Sequence, residues 1–149
     1  MKKVYNLKQL VQALKDGKTE ISIMFKDCSY LYEILKEDYG VDLNNFDLRF
    51  WDTSNVTNMR GMFMNAVCFN QPLNNWDTSN VTDMRRMFTG AKSFNQPLNN
   101  WNTSNVVNMS CMFEDAVCFN QPLNNWDTSN VVNMLCMFAI AKSFSVICR

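Results

Sequence analysis

Residues 51–75 read WDTSNVTNMRGMFMNAVCFNQPLNN, and at residue 76 the phrase begins again. Trp51, Trp76, Trp101 and Trp126 open four copies spaced 25 residues apart, with no insertion or deletion between them. A period of about 20–29 residues marks a repeat whose single unit cannot bury its own apolar face and must use a neighbour's. Fold and function therefore both have to be argued from one unit, multiplied.

Within the unit, Val56, Met59, Met62, Phe63 and Ala66 recur at three- and four-residue steps. That spacing predicts a short helix with one apolar face. The half from Phe69 to Trp76 is poor in helix formers and contains Pro72. It predicts a turn and then a short strand holding Leu73, with Leu98 and Leu123 at the equivalent places and Pro72, Pro97 and Pro122 at the strand starts. Stacked copies then give an α/β fold: a right-handed, leucine-rich-repeat-like solenoid of four 25-residue coils with a narrow parallel sheet on one side and helices on the other. The Trp row is left open, because Leu73 and Trp76 are three apart and strict alternation puts them on opposite faces, whereas a bend after Asn75 turns both inward.

Residues 1–50 read as an N-terminal αβ cap ending in an atypical first coil, residues 51–144 as the four repeats, and residues 145–149 as a tail lying along the open end. A helix is expected from Leu7 with Asn6 as its cap and Gly17 past its end, then a strand through Thr19–Phe25. A second helix is expected through Tyr30, Leu31, Ile34 and Leu35, capped by Asp27 or Ser29 and stopped by Gly40. Leu43-Asn44-Asn45-Phe46-Asp47 copies Leu73-Asn74-Asn75-Trp76-Asp77 and marks the approach to the repeats.

Lys+Arg and Asp+Glu balance at 14 each, and there is no His. The balance argues against nucleic acid as a partner, and the missing imidazole removes the commonest general base and metal ligand. The six Cys contain no C-x-x-C pair, so no zinc or dithiol motif is present. Cys111 and Cys136 occupy the same site in adjacent copies, within reach of a disulfide, although free packed thiols are the plainer expectation. The N-terminal residues hold no apolar run suited to a signal peptide, a lipid anchor or a membrane span. On that reading the chain as given is cytoplasmic.

The copies V-T-x-M-x-x-M-F-x-x-A-x-x-F-N-Q-P-L-N-N-W-D-T-S-N closely resemble the repeat of the BspA-like family, found in mycoplasma lipoproteins and other microbial surface proteins. Tyr39-Gly40-Val41-Asp42-Leu43-Asn44 is similar to that family's entry into its first repeat. The resemblance implies a leucine-rich-repeat-like scaffold used for binding or adhesion, often at the cell surface.

Every polar residue type in the repeats recurs in equivalent settings, whereas an active site needs a unique convergence of acid, base or nucleophile. The chain is therefore expected to be a non-catalytic scaffold without a cofactor, binding a protein partner of unknown identity through a repeated side-chain row. The candidate binding residues are Asn74, Asn99 and Asn124, with Arg85 and Arg86 as the local basic pair. The Asn rows equally fit internal amide ladders between stacked strands. The alternative function is a structural or Ca²⁺-stabilised array, with Asp52, Asp77 and Asp127 as the cation row, against which each Asp can bond its own D-T-S-N turn. The Met pairs, such as Met59 and Met62, match soft-metal ligands in type but sit at core spacing.

Overall fold

The computed structural model describes residues 1–142. The tail expected at 145–149, with Cys148, lies outside the described residues. At the N-terminus, strand β1 (Lys2–Val4) leads into helix α1 (Leu7–Lys15), and strand β2 (Ile21–Ile23) returns parallel to β1 with Val4 opposite Ile23. Asn6 caps α1 by accepting the Gln9 amide at 2.9 Å, and the helix buries Leu10, Val11, Ala13 and Leu14. Helix α2 (Leu31–Tyr39) follows. Gly40 closes it at φ 66°, and the Val41 amide reaches back to the Leu35 carbonyl at 2.8 Å, because glycine alone enters the left-handed region without a steric cost. The expected caps of α2 do not cap it: Asp27 accepts the Ser29 amide, and Tyr30, itself left-handed, precedes the first turn. A single 3-10 turn at Leu43–Asn45 completes the leading fifty residues.

Beyond it the expected architecture is corrected. Among the described residues there are only two α-helices, both before the repeats, and one sheet of two parallel strands. Among the described residues, no copy contains a helix or a strand. The α/β leucine-rich-repeat-like solenoid, with a helix and a sheet strand in every coil, is therefore not what this sequence forms.

The reason lies in the backbone. Gly61, Arg86, Cys111 and Cys136 occupy one position in successive copies, and Asn65, Gly90, Asp115 and Ile140 another, and all eight have positive φ between 57° and 70°. A left-handed residue every four positions stops an α-helix before it can propagate. What remains is a pair of consecutive turns, Met59 to Met62 and Phe63 to Ala66, closed by the Met62 and Ala66 amides at 3.2 and 3.1 Å. Two linked turns bring every third or fourth residue inward just as a helix does, so Val56, Met59, Met62, Phe63 and Ala66 are all fully buried without one.

The amides that a helix would bond internally go to the next copy instead. Met59, Gly61, Phe63 and Asn65 donate to the carbonyls of Asp83, Arg85, Met87 and Thr89 at 2.8–3.0 Å, and the equivalent residues of the second copy donate to the third. Single parallel bridges run Asp27, Asn58, Asp83, Asn108, Asn133, and Ser22 bridges to Asp52, so β2 and the segment leading into α2 pair with the first copy. Gly61 is glycine because the Tyr30 ring of that leading unit fills the space where its Cβ would stand, a neighbour the equivalent Arg86 and Cys111 do not have.

The expected strand at Leu73 is absent, since Pro72 has no N–H and the backbone from Asn70 to Asn75 donates to no other copy. Leu73 is nonetheless buried, and Trp51, Trp76 and Trp101 are 2–3% exposed, so Leu and Trp both turn inward. Phe63, Phe88, Phe113 and Phe138 form a column with ring centroids 5.6 Å apart at each step, flanked by Phe69, Phe94 and Phe119 at 6.0 Å. Phe88 is held between like rings above and below and by Phe94 beside it at 4.3 Å. Phe88→Ala is accordingly expected to destabilise the protein by about 3–5 kcal/mol in denaturant unfolding.

Candidate binding surface

Most polar rows of the repeat are consumed in joining one copy to the next. The buried hydroxyls of Thr53, Thr78 and Thr103 donate to the carbonyls of Asp77, Asn102 and Asp127 at 2.9–3.0 Å. Asn80, Asn105 and Asn130 donate side-chain N–H groups backward to the carbonyls of Ser54, Ser79 and Ser104 at 2.6–2.7 Å. The indole N–H groups of Trp76, Trp101 and Trp126 reach the carbonyls of Leu48, Leu73 and Leu98 at 2.8 Å. Trp51, first in the series, has its Nε1 buried with no partner.

Where Pro removes the backbone route, Asn supplies another. Asn70 and Asn95 accept the amides of Asn95 and Asn120 at 2.9 Å, while Gln96 and Gln121 donate onto them. Of the candidate row, Asn74 accepts the Asn100 amide at 3.1 Å and Asn99 the Asn125 amide at 3.0 Å. The Nδ2 of Asn99 bonds the Asn124 Oδ1 at 3.2 Å, so those two side chains form one step of an amide ladder. Asn74 and Asn99 are half-buried and Asn124 is exposed.

The Asp row is engaged locally. Asp52, Asp77 and Asp127 accept the amides of Ser54, Ser79 and Ser129 at 2.9–3.0 Å, turns that position each carboxylate against its own backbone. The Ser54 hydroxyl and amide hold Asp52 below the usual carboxylate range, with Ser22 assisting, and Ser129 does the same for Asp127. No group of three or more Asp, Glu, Cys or His side chains gathers among the described residues.

The two arginines part company. Arg85 is half-buried and bonded to Asp83 at 3.1 Å within its own copy. Arg86, left-handed at φ 57° and exposed, makes no side-chain ion pair or hydrogen bond among the described residues. It lines an open concavity of about 440 Å³ crossing successive copies, together with Met64, Asn65, Thr89, Glu114 and Asp115. Asn65 is pinned to Glu33 at 2.9 Å, Thr89 donates to the Cys111 carbonyl at 2.6 Å, and Asp115 pairs loosely with Lys92 at 3.7 Å. Sequence reasoning placed Arg86 on the list but missed the concavity, whose signal was the Asn, Gly, Asp series at 65, 90 and 115, residue types that tolerate left-handed backbone.

The leading unit has two shallow concavities, one lined by Lys2, Lys18 and Glu20 and one by Tyr5, Gln9 and Asp16. Its perturbed groups lie in neither. Burial, reinforced by Asp27, pushes the Cys28 thiol up to about 12, and burial raises Tyr32. No helix among the described residues is long and apolar enough to cross a membrane.

The family model described as Mycoplasma protein of unknown function, DUF285, matches residues 19–148. The chain belongs to that family, a mycoplasma-type grouping that is coarser than the BspA-like resemblance of its repeats. Neither a curated protein nor a solved structure matches the chain.

The ladder orders the Asn residues by consequence. Asn99→Ala removes an acceptor for a backbone amide of the next copy and is expected to cost about 1–2 kcal/mol in thermal or denaturant unfolding. Asn124→Ala, at the exposed end, is expected to stay within about 0.5 kcal/mol.

Proposed function

We propose that this chain is a non-catalytic interaction scaffold that holds a protein partner, in the manner of an adhesion module, along the face bearing Arg86. The carrying observation is the contrast among the repeated polar groups. The Thr and Trp rows and the Asn80, Asn105 and Asn130 row are spent on joining copies, whereas the Arg86 guanidinium is exposed and unbonded at the mouth of a concavity. Glu114 and Asp115 line the same concavity, so the surface offers both signs of charge within one footprint. A partner segment carrying a carboxylate against Arg86 and a donor against Glu114 complements it, and such pairing sets specificity and encounter rate more than raw affinity. The similarity of the repeats to BspA-like surface proteins supports adhesion as the class of interaction. Asn74 and Asn124 keep unbonded amide nitrogens among the described residues and extend the polar surface available for contact.

A second reading, a structural array with no specific ligand, is favoured by the number of side chains already committed between copies. Calcium adds little to that reading, because each Asp of the proposed cation row is already taken by its own turn.

Immobilised protein challenged with extract of the native host separates the two. On the binding reading a partner is retained at low salt, is released as salt rises, and is lost on Arg86→Glu with melting unchanged. Equal retention by the wild type and the variant rules out the Arg86 face, and no retained partner leaves the structural array.

A further inference from the structure

Cysteine occurs twice in succession at the left-handed position of the first turn, where the first copy has Gly61 and the second Arg86. Cys111 and Cys136 have φ 57° and 58°. The segments that carry them lie side by side: the Cys111 amide donates to the Leu135 carbonyl at 2.9 Å and the Phe113 amide to the Met137 carbonyl at 2.8 Å. The Phe113 and Phe138 rings, two residues further along each segment, are stacked with their planes parallel within 1° and their centroids 5.6 Å apart. Equivalent atoms of the two copies are therefore related by little more than a translation. Neighbouring parallel segments run about 4.8 Å apart, inside the span of about 4.4–6.8 Å that disulfide-bonded Cα atoms adopt. Both thiols are free, Cys136 exposed and Cys111 half-buried.

We propose that Cys111 and Cys136 form a redox modification site, a reversible disulfide that clasps the third copy to the fourth. Low-molecular-weight disulfides are the oxidant class. The Cys136 thiolate attacks one sulfur of such a disulfide, forming a mixed disulfide and expelling one thiolate, which takes up the proton that Cys136 released. Cys111 then loses its proton to solvent and attacks the Cys136 sulfur, and the second small thiolate leaves and is protonated. The protein is oxidised by two electrons and the small disulfide is reduced to two thiols.

The order follows from access, since Cys136 is the more exposed. Cys111 is shielded by burial and by the Glu114 carboxylate, which raise its thiol, so it serves as the resolving partner. A translation leaves the two Cβ atoms about as far apart as the segments, whereas a relaxed disulfide needs about 3.8 Å. Closure therefore draws the copies together against their packing, and the bond belongs to the labile, reducible kind rather than the permanent structural kind. Glu114 borders both this site and the concavity, but the proposal does not depend on the binding reading.

Cys68 and Cys118 provide an internal control. Both are exposed and share one repeat position, but they lie two copies apart, about twice the segment spacing and out of disulfide reach. Folded protein is incubated with glutathione disulfide, quenched by alkylation, and mapped without reduction by mass spectrometry. The expected product is an intramolecular Cys111–Cys136 peptide pair with two hydrogens lost. It should persist in Cys148→Ser, disappear on dithiothreitol, and be replaced by a stable glutathione adduct in Cys111→Ser. The same oxidation should raise the melting temperature of the wild type but not of Cys111→Ser. Glutathione adducts on both Cys111 and Cys136 with no link between them, or a link from either to another cysteine or another molecule, overturns the proposal.

Discussion

The structure depends on where the main-chain amides of the paired turns point. A buried N–H without a partner costs about 1–3 kcal/mol, and in each internal copy four alternate amides meet carbonyls only in the copy that follows. Two of those four donors in each copy are themselves left-handed, and they forbid the helix that would have satisfied the groups locally. Each such non-glycine residue costs about 1–2 kcal/mol, a strain that the bonds it directs outward help to offset. One unit alone would therefore have neither a closed core nor a closed hydrogen-bond inventory. Buried Thr hydroxyls, indole N–H groups and Asn amides extend the same logic to side chains, and the Phe columns fill the space between.

The leading fifty residues answer the need for a first neighbour. The Cys28, Tyr30 and Tyr32 amides meet the carbonyls of Asn58, Arg60 and Met62 at 2.8–2.9 Å, the spacing that one copy uses toward the next. Here a helix start imitates a repeat. The fit is imperfect at one place: the Trp51 indole has no Leu carbonyl of a preceding copy to reach and stays unbonded.

The sequence shows plainly which residues are buried, but not how the backbone buries them. The inward set Val56, Met59, Met62, Phe63 and Ala66 was legible from spacing, and both helices of the leading unit from spacing together with the Asn6 cap and the Gly40 stop, although the caps expected for α2 were not the ones used. The helix expected in each copy fails because a step of three or four residues is common to helices and to linked turns, and only the left-handed positions tell them apart. Gly61, Asn65, Gly90 and Asp115 carried that signal, but Arg86, Cys111, Cys136 and Ile140 hid it, being types rarely found there. The strand at Leu73 fails because Pro72 and the Asn residues around it trade backbone pairing for amide ladders. Strand β1 was not foreseen, since Lys2–Val4 is short and charged and is fixed by pairing with β2. At the surface, equivalence between copies showed that no single residue was special, yet it could not show which rows were already spent on internal bonds.

Native-state hydrogen exchange on the second copy tests the copy-to-copy amide bonding directly. If Met84, Arg86, Phe88 and Gly90 donate to the third copy, their amides should exchange far more slowly than that of Lys92, which has no such partner, and should be protected comparably to the amides inside α1 and α2. Protection confined to α1 and α2, with those four amides exchanging at the unprotected rate, would contradict it.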